Sequence, residues 1–226
     1  MPFPLTHLCV ARRVLDMHPM TEDQARQFML GTIAPDAIHY RKSYENAQMS
    51  NIGPAKKITH LCPVSEERWG QVTDNDGWAE CVKGFLREHG GDPFCAGYGV
   101  HVLTDIFNNS TLWLNFRTKN PEEAAKGYQS VYYRDLHNID LRIYHEMVKT
   151  SDIPEMLERA EPVDVPGLVS RDEIHAIKNN LLHIAYKDAP PAPDGGYSII
   201  GFEEVADFIQ TAADYSMDIL RLCPAF

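Results

Sequence analysis

The sequence predicts an all-α protein. Helix-start signatures recur along the chain, apolar residues return at helical spacing from Phe202 to Leu222, and no stretch alternates as a strand would. Taken in order, Thr21 and Gln24 have capping-box spacing ahead of a helix to Leu30, with Gly31 where it stops. Ala34, Pro35 and Asp36 then read as loop. The polar stretch from Ile38 to Lys57, broken by Asn51, Gly53 and Pro54, reads as surface loop or short irregular helices. Asn75 or Asp76 caps a helix to about His89, terminated by Gly90 and Gly91. Asp92 and Pro93 open the next, which runs to about Asn108. Asn120, Pro121, Glu122 and Glu123 start a long helix to about Lys149. Ser170 and Glu173 form a second capping box, before a helix to about Lys187. The Pro- and Gly-rich segment Asp188 to Gly196 connects it to the last helix.

Residues 1–226 read as one multi-helix domain, with no internal repeat and no linker. Of the residues, 44% are hydrophobic and 23% charged, the balance of an ordinary soluble protein. The opening stretch lacks a basic leader ahead of an apolar core, and no apolar run approaches the roughly 20 residues that cross a bilayer, so a cytoplasmic location is expected. Five scattered cysteines lack the close pairing of a structural zinc site and read as reduced, mostly buried thiols. A net charge of −11 with no basic block makes duplex nucleic acid an unfavourable partner. Small anionic esters are not excluded, because divalent cations in a cleft invert the local field.

Candidate chemistry centres on His101 and Asp105. Four apart in a helix, they project from one face on adjacent turns and could grip one metal ion, or simply hydrogen-bond along the helix. Gly97 and Gly99 in the same helix cost stability and call for close backbone approach. Asp36 and His60, outside any apolar stripe, are the candidates to complete the ligand set. Asp36 could equally close a turn, and His7 could be a core histidine. His18, His39, His89, His175 and His183 read as ordinary packed or surface side chains.

The ordered pieces Pro4-Leu5-Thr6-His7-Leu8, Gly31-Thr32-Ile33-Ala34-Pro35-Asp36, Thr59-His60-Leu61 and Gly97-Tyr98-Gly99-Val100-His101-Val102-Leu103-Thr104-Asp105 resemble the zinc-dependent phospholipase C superfamily, in particular its intracellular bacterial hydrolase branch. The resemblance spans residues 4–105. It implies a mostly helical fold in which Asp36, His60, His101 and Asp105 bind one zinc, while His7 binds a second metal with Asp105 bridging.

The chain departs from the secreted members in having no histidine followed four positions on by an acid after His101. His137 and Asp140 are the residues of the long helix that could still join the cluster. The expected cofactor is one or two zinc ions, with other divalent transition metals as alternatives. The expected reaction is hydrolysis of a small or lipid-derived phosphate ester by a metal-activated water. Asp36 and Asp105 are the candidate catalytic carboxylates, and Arg41, Lys42 and Arg134 are candidate phosphate clamps. The competing expectation is a non-catalytic metal-binding or interaction protein that retains the scaffold. A helical phosphohydrolase of the His-Asp type is disfavoured, because the adjacent His-Asp dipeptide is missing.

Overall fold

Helices α1 (Pro4–Met17) and α2 (Glu22–Gly31) lead into a 3-10 segment, Ala34–Tyr40, and a short α3 (Pro54–Thr59). Next come α4 (Asn75–His89), α5 (Pro93–Ser110), α6 (Leu112–Lys119) and α7 (Pro121–Ala125). Beyond them lie α8 (Val131–Ile143), α9 (Ile153–Arg159), α10 (Arg171–His183) and α11 (Phe202–Leu220). This is a computed structural model, and it describes residues 3–42, 54–63, 72–89, 91–191 and 195–223. The class is all-α. Among the described residues the β-type pairing is one isolated bridge between Val165 and Val169, and no helix is long and apolar enough to cross a membrane.

α5 is the hub. It is buried on every side, from Phe94 and Ala96 through Val100, Leu103 and Ile106, and packs against α1, α2, α4, α6 and α11. A helix apolar all round belongs inside a core, and this one carries its two charged-type groups, His101 and Asp105, into that core. The Asp92 side chain caps it by accepting from the Phe94 N–H at 2.8 Å.

The closest crossing is between α2 and α5, and glycines make it. A Cβ on Gly97 would lie 2.0 Å from the Phe28 carbonyl oxygen, and one on Gly31 would lie 2.0 Å from that of Phe94. Gly31, the last residue of α2, is therefore glycine for a steric reason and not as a left-handed cap. Gly99 faces the Leu86 side chain of α4, where a Cβ would meet it at 2.6 Å.

Both predicted capping boxes form, at Thr21 with Gln24 and at Ser170 with Glu173. Other starts differ from expectation. Asp74 caps α4, accepting from the Gly77 N–H at 2.8 Å, in place of Asn75 or Asp76. Asp36 lies in a 3-10 turn and not in loop. Gly90 lies outside the described residues, as does most of the polar loop after Lys42. Helices α6 and α9 were not anticipated, and α10 stops at His183.

The long helix expected from Asn120 to Lys149 is broken in two. Gly127 takes a φ of 57°, Ser130 is extended, and Glu123, expected only to favour the first turn electrostatically, accepts from the Val131 N–H at 3.3 Å where α8 begins. At its other end α8 widens into a π-helical turn, Tyr144–Val148. None of the five cysteines is in a disulfide, and Cys9, Cys62 and Cys223 are buried while Cys81 is exposed.

Asp135 is fully buried and holds the chain leading into α11. Its Oδ2 accepts from the backbone N–H groups of Ser198 at 2.8 Å and Ile199 at 2.7 Å. Hydrogen bonds to a charged acceptor contribute about 1.5–3 kcal/mol. Asp135→Ala is therefore expected to lower stability by about 2–3 kcal/mol in urea denaturation, with Asp135→Asn in between. An Asp135→Ala protein as stable as wild type would show that the 198–200 turn is held by packing alone.

Candidate metal centre

Four elements deliver the site residues. α1 supplies His7, the 3-10 turn Asp36, the turn after α3 His60, and α5 both His101 and Asp105. The turn at His60 closes because Leu61 adopts a left-handed φ of 52° and the Cys62 N–H reaches back to the Lys57 carbonyl at 2.9 Å. That conformation costs a branched residue roughly 1–2 kcal/mol. It leaves the His60 carbonyl to accept from Trp78 Nε1 at 2.7 Å, so the ligand's backbone is pinned by α4.

The five residues predicted as a cluster do come together. Two triads of ligand atoms each lie within 4.8 Å: His7, His101 and Asp105, and Asp36, His60 and His101. His60 Nε2 is 3.3 Å from Asp36 Oδ1 and 3.5 Å from Asp105 Oδ2, and His7 Nε2 is 3.5 Å from Asp105 Oδ1. The His7 and His101 rings stack with centroids 3.8 Å apart. All four of His7, His60, His101 and Asp105 are almost wholly buried.

Hydrogen bonding fixes which ring nitrogens face the centre. His101 Nδ1 donates to the Thr32 carbonyl at 2.8 Å, and His60 Nδ1 donates to that of Lys56 at 2.9 Å. A neutral imidazole that donates through Nδ1 presents a bare lone pair at Nε2. The two Nε2 atoms are nevertheless only 3.3 Å apart. Burial, reinforced by Lys56, pushes His60 down to about 3, and burial pushes His101 down to about 4, so a proton does not sit between them at neutral pH. His7 is held well below its ordinary value by burial and then by His101. Both nitrogens of His7 and Asp105 Oδ1 are buried without a hydrogen-bond partner among the described residues. Opposed lone pairs beside orphaned acceptors fit a divalent cation with imidazole and carboxylate ligands. The Nδ1 bonds to carbonyls are the outer-shell contacts that orient such ligands.

Lys56, not singled out from the sequence, and His39, read there as an ordinary packed or surface side chain, both join the site. Lys56, buried on α3, places Nζ 2.9 Å from Asp36 Oδ1 and 3.1 Å from His39 Nε2. Burial would raise the Asp36 carboxyl, but Lys56, His39 and His60 together hold it well below the usual carboxylate range. Asp105 goes the opposite way, raised well above that range by burial and then by Asp36. The available signal was the Lys56-x-x-x-His60 spacing, which puts the pair one helical turn apart.

The remaining candidates lie elsewhere. Arg41 grips Glu173 at 2.6 and 3.0 Å and the Leu168 carbonyl at 2.7 Å, tying the 3-10 turn to α10. Lys42 is exposed, and Arg134 donates to Ser198 Oγ at 2.6 Å on the outer side of α8. His137 and Asp140 correct the expectation placed on α8. His137 is exposed and sets its ring edge-on to Phe3. Asp140 is buried but turned to the Tyr186 hydroxyl, and its burial raises it to about 7. Neither belongs to the two triads.

The three depressed histidines set an acid dependence for the metal-free protein. Between the ordinary histidine value of 6.5 and the folded values of about 3 and 4, the unfolded chain binds more protons than the folded one. Stability is therefore fully present above pH 6.5 and is lost on acidification, by about 1.4 kcal/mol per pH unit for each uncompensated proton. Asp105 and Asp140, both raised in the fold by burial, oppose this with one proton each. The urea midpoint is expected to fall from pH 6.5 towards pH 4 with the slope of the one proton left over. A midpoint that rose over that range would mean that the buried rings are protonated in the folded state.

The fold and the site thus define an all-α protein with a candidate buried histidine and aspartate metal-binding cluster. Comparison with protein-family models, curated proteins and solved structures returns no match.

Proposed function

We propose that this protein is a metal-dependent hydrolase of phosphate esters. The observation that carries the metal is the convergence of His60 Nε2 and His101 Nε2, 3.3 Å apart, with the carboxylates of Asp36 and Asp105 beside them. The motif order of residues 4–105 supports the reaction class. Zinc held by the two triads would supply positive charge for phosphoryl oxygens and a water activated at neutral pH. Asp36 would orient that water and accept its proton. It is the least buried member of the triads, and Lys56 and His39 keep it ionised and fixed at Oδ1. Asp105, against both His7 and His60, joins the two triads.

A second reading has one observation in its favour. The near-complete burial of His7, His60, His101 and Asp105 suits a structural centre closed by protein ligands. The two separate on turnover. Purified protein, stripped and then reloaded with zinc, is assayed for metal by plasma mass spectrometry and for hydrolysis of phosphomonoesters and phosphodiesters. The hydrolase requires zinc-dependent turnover that Asp36→Asn and Asp105→Ala each abolish. Stoichiometric zinc with no turnover on any ester supports the structural centre, and no zinc after repletion removes both.

A further inference from the structure

The exposure of the cluster is graded, and the gradient marks its mouth. Side chains of His7, His60, His101 and Asp105 are 0–1% exposed, Lys56 9%, Asp36 13% and His39 29%. A ligand reaching the triads from solvent meets the Lys56, His39 and Asp36 edge first. That edge would otherwise be a bare carboxylate, which repels any anion; the Lys56 ammonium at 2.9 Å from Asp36 Oδ1 cancels it. With Asp105 ionised as a ligand, Asp36, Asp105 and Lys56 together carry one negative charge, and each divalent ion adds two positive ones, so the loaded site is cationic within a chain of net charge −11.

We propose that Lys56, backed by His39, recognises the terminal oxygens of a phosphate monoester at this mouth, and that monoesters are the preferred substrate class over diesters. The inference rests on the metal-dependent phosphoesterase reading. A monoester carries close to two charges at neutral pH and three terminal oxygens. It therefore keeps an oxygen and a charge for the ammonium after the buried triads have taken their share. A diester has one charge and two such oxygens, and a second substituent that must pass the same edge. Lys56 lies 2.9 Å from Asp36 on the more exposed side of the cluster. It is a substrate-binding residue and takes no proton in the reaction.

The test uses zinc-loaded full-length wild type, Lys56→Met, Lys56→Arg and His39→Gln. Three quantities are read: zinc content, the Kd of inorganic phosphate by calorimetry, and kcat/KM on 4-nitrophenyl phosphate and bis(4-nitrophenyl) phosphate. A charge-assisted hydrogen bond to an anion corresponds to roughly 10- to 100-fold in affinity. Lys56→Met is expected to keep wild-type zinc, weaken phosphate by that factor and lower the monoester-to-diester ratio of kcat/KM equally, mainly through KM. Lys56→Arg should recover part of the loss and His39→Gln should show a smaller one.

Unchanged phosphate affinity, equal losses on both esters, or loss of zinc from Lys56→Met would each overturn the inference, the last making Lys56 a prop for Asp36. Wild type without zinc or turnover would instead remove the hydrolase reading. If Lys56→Met fails to fold, Lys56→Arg and His39→Gln decide the matter by the same ratio.

Discussion

Gly97→Ala is expected to lower the thermal midpoint by roughly 6–12 °C, the equivalent of about 3 kcal/mol in a chain of this length. The added methyl would stand 2.0 Å from the Phe28 carbonyl oxygen, a backbone atom in the middle of α2 that cannot rotate away. Relief requires α2 and α5 to separate along a contact also set by Gly31 against Phe94. The same crossing carries the bond from His101 Nδ1 to the Thr32 carbonyl, so the damage reaches the site. Zinc affinity should fall with stability, by the roughly 10- to 100-fold that loss of an outer-shell partner costs. Gly84→Ala is the control. Nothing lies within 4 Å of a Cβ there, in the interior of α4, and the exchange should stabilise by about 0.5–1 kcal/mol. Scanning calorimetry of the two variants checks both signs, and a Gly97→Ala protein with an unshifted midpoint would show that the helices cross farther apart than described.

That glycine illustrates what is legible in a single sequence. A residue that costs helix propensity in the middle of an apolar run has to have a steric reason, so Gly97 and Gly99 flagged the crowded helix before any packing was known. Capping boxes are equally readable, because Thr21 with Gln24 and Ser170 with Glu173 satisfy backbone groups through neighbours three residues away. His101 and Asp105 share a face by periodicity alone.

What could not be read is tertiary. Lys56 joins Asp36 and His39 only because α3 folds back on the 3-10 turn, separations of 20 and 17 residues that no local pattern encodes, whereas His39 sits one turn from Asp36 on the same 3-10 segment. The break between α7 and α8 depends on Glu123 reaching Val131 across Gly127, where a helix rule sees only an acid in a first turn. His137 was a fair ligand by type, but α8 turns Leu136, Ile139 and Ile143 inward and so rotates His137 out. Asp140 does face inward, to a hydroxyl in place of a metal.

His101 is the one side chain common to both triads, and that makes its removal the most informative ligand change. Two-ion centres hold their metals about 3.5–4 Å apart and share ligands between them. If zinc loads both triads, wild type should retain about two ions per chain after dialysis. His7→Ala should then lose the ion of the His7 triad only and His60→Ala the other only, while His101→Ala, whose one available nitrogen ligates a single ion, should lose at least that ion. Zinc should also raise wild-type stability, by about 2.7 kcal/mol at a hundredfold excess over Kd for one site. His101→Ala should show a smaller rise. Plasma mass spectrometry and urea denaturation with and without zinc read the two consequences separately, which matters because the substitution also removes a buried ring stacked on His7 and a bond to Thr32. A general loss of packing would lower the metal-free midpoint while leaving the zinc increment intact. A smaller increment, with zinc lost, ties His101 to the metal, whereas a His101→Ala protein holding as much zinc as wild type would mean that the ions bind elsewhere.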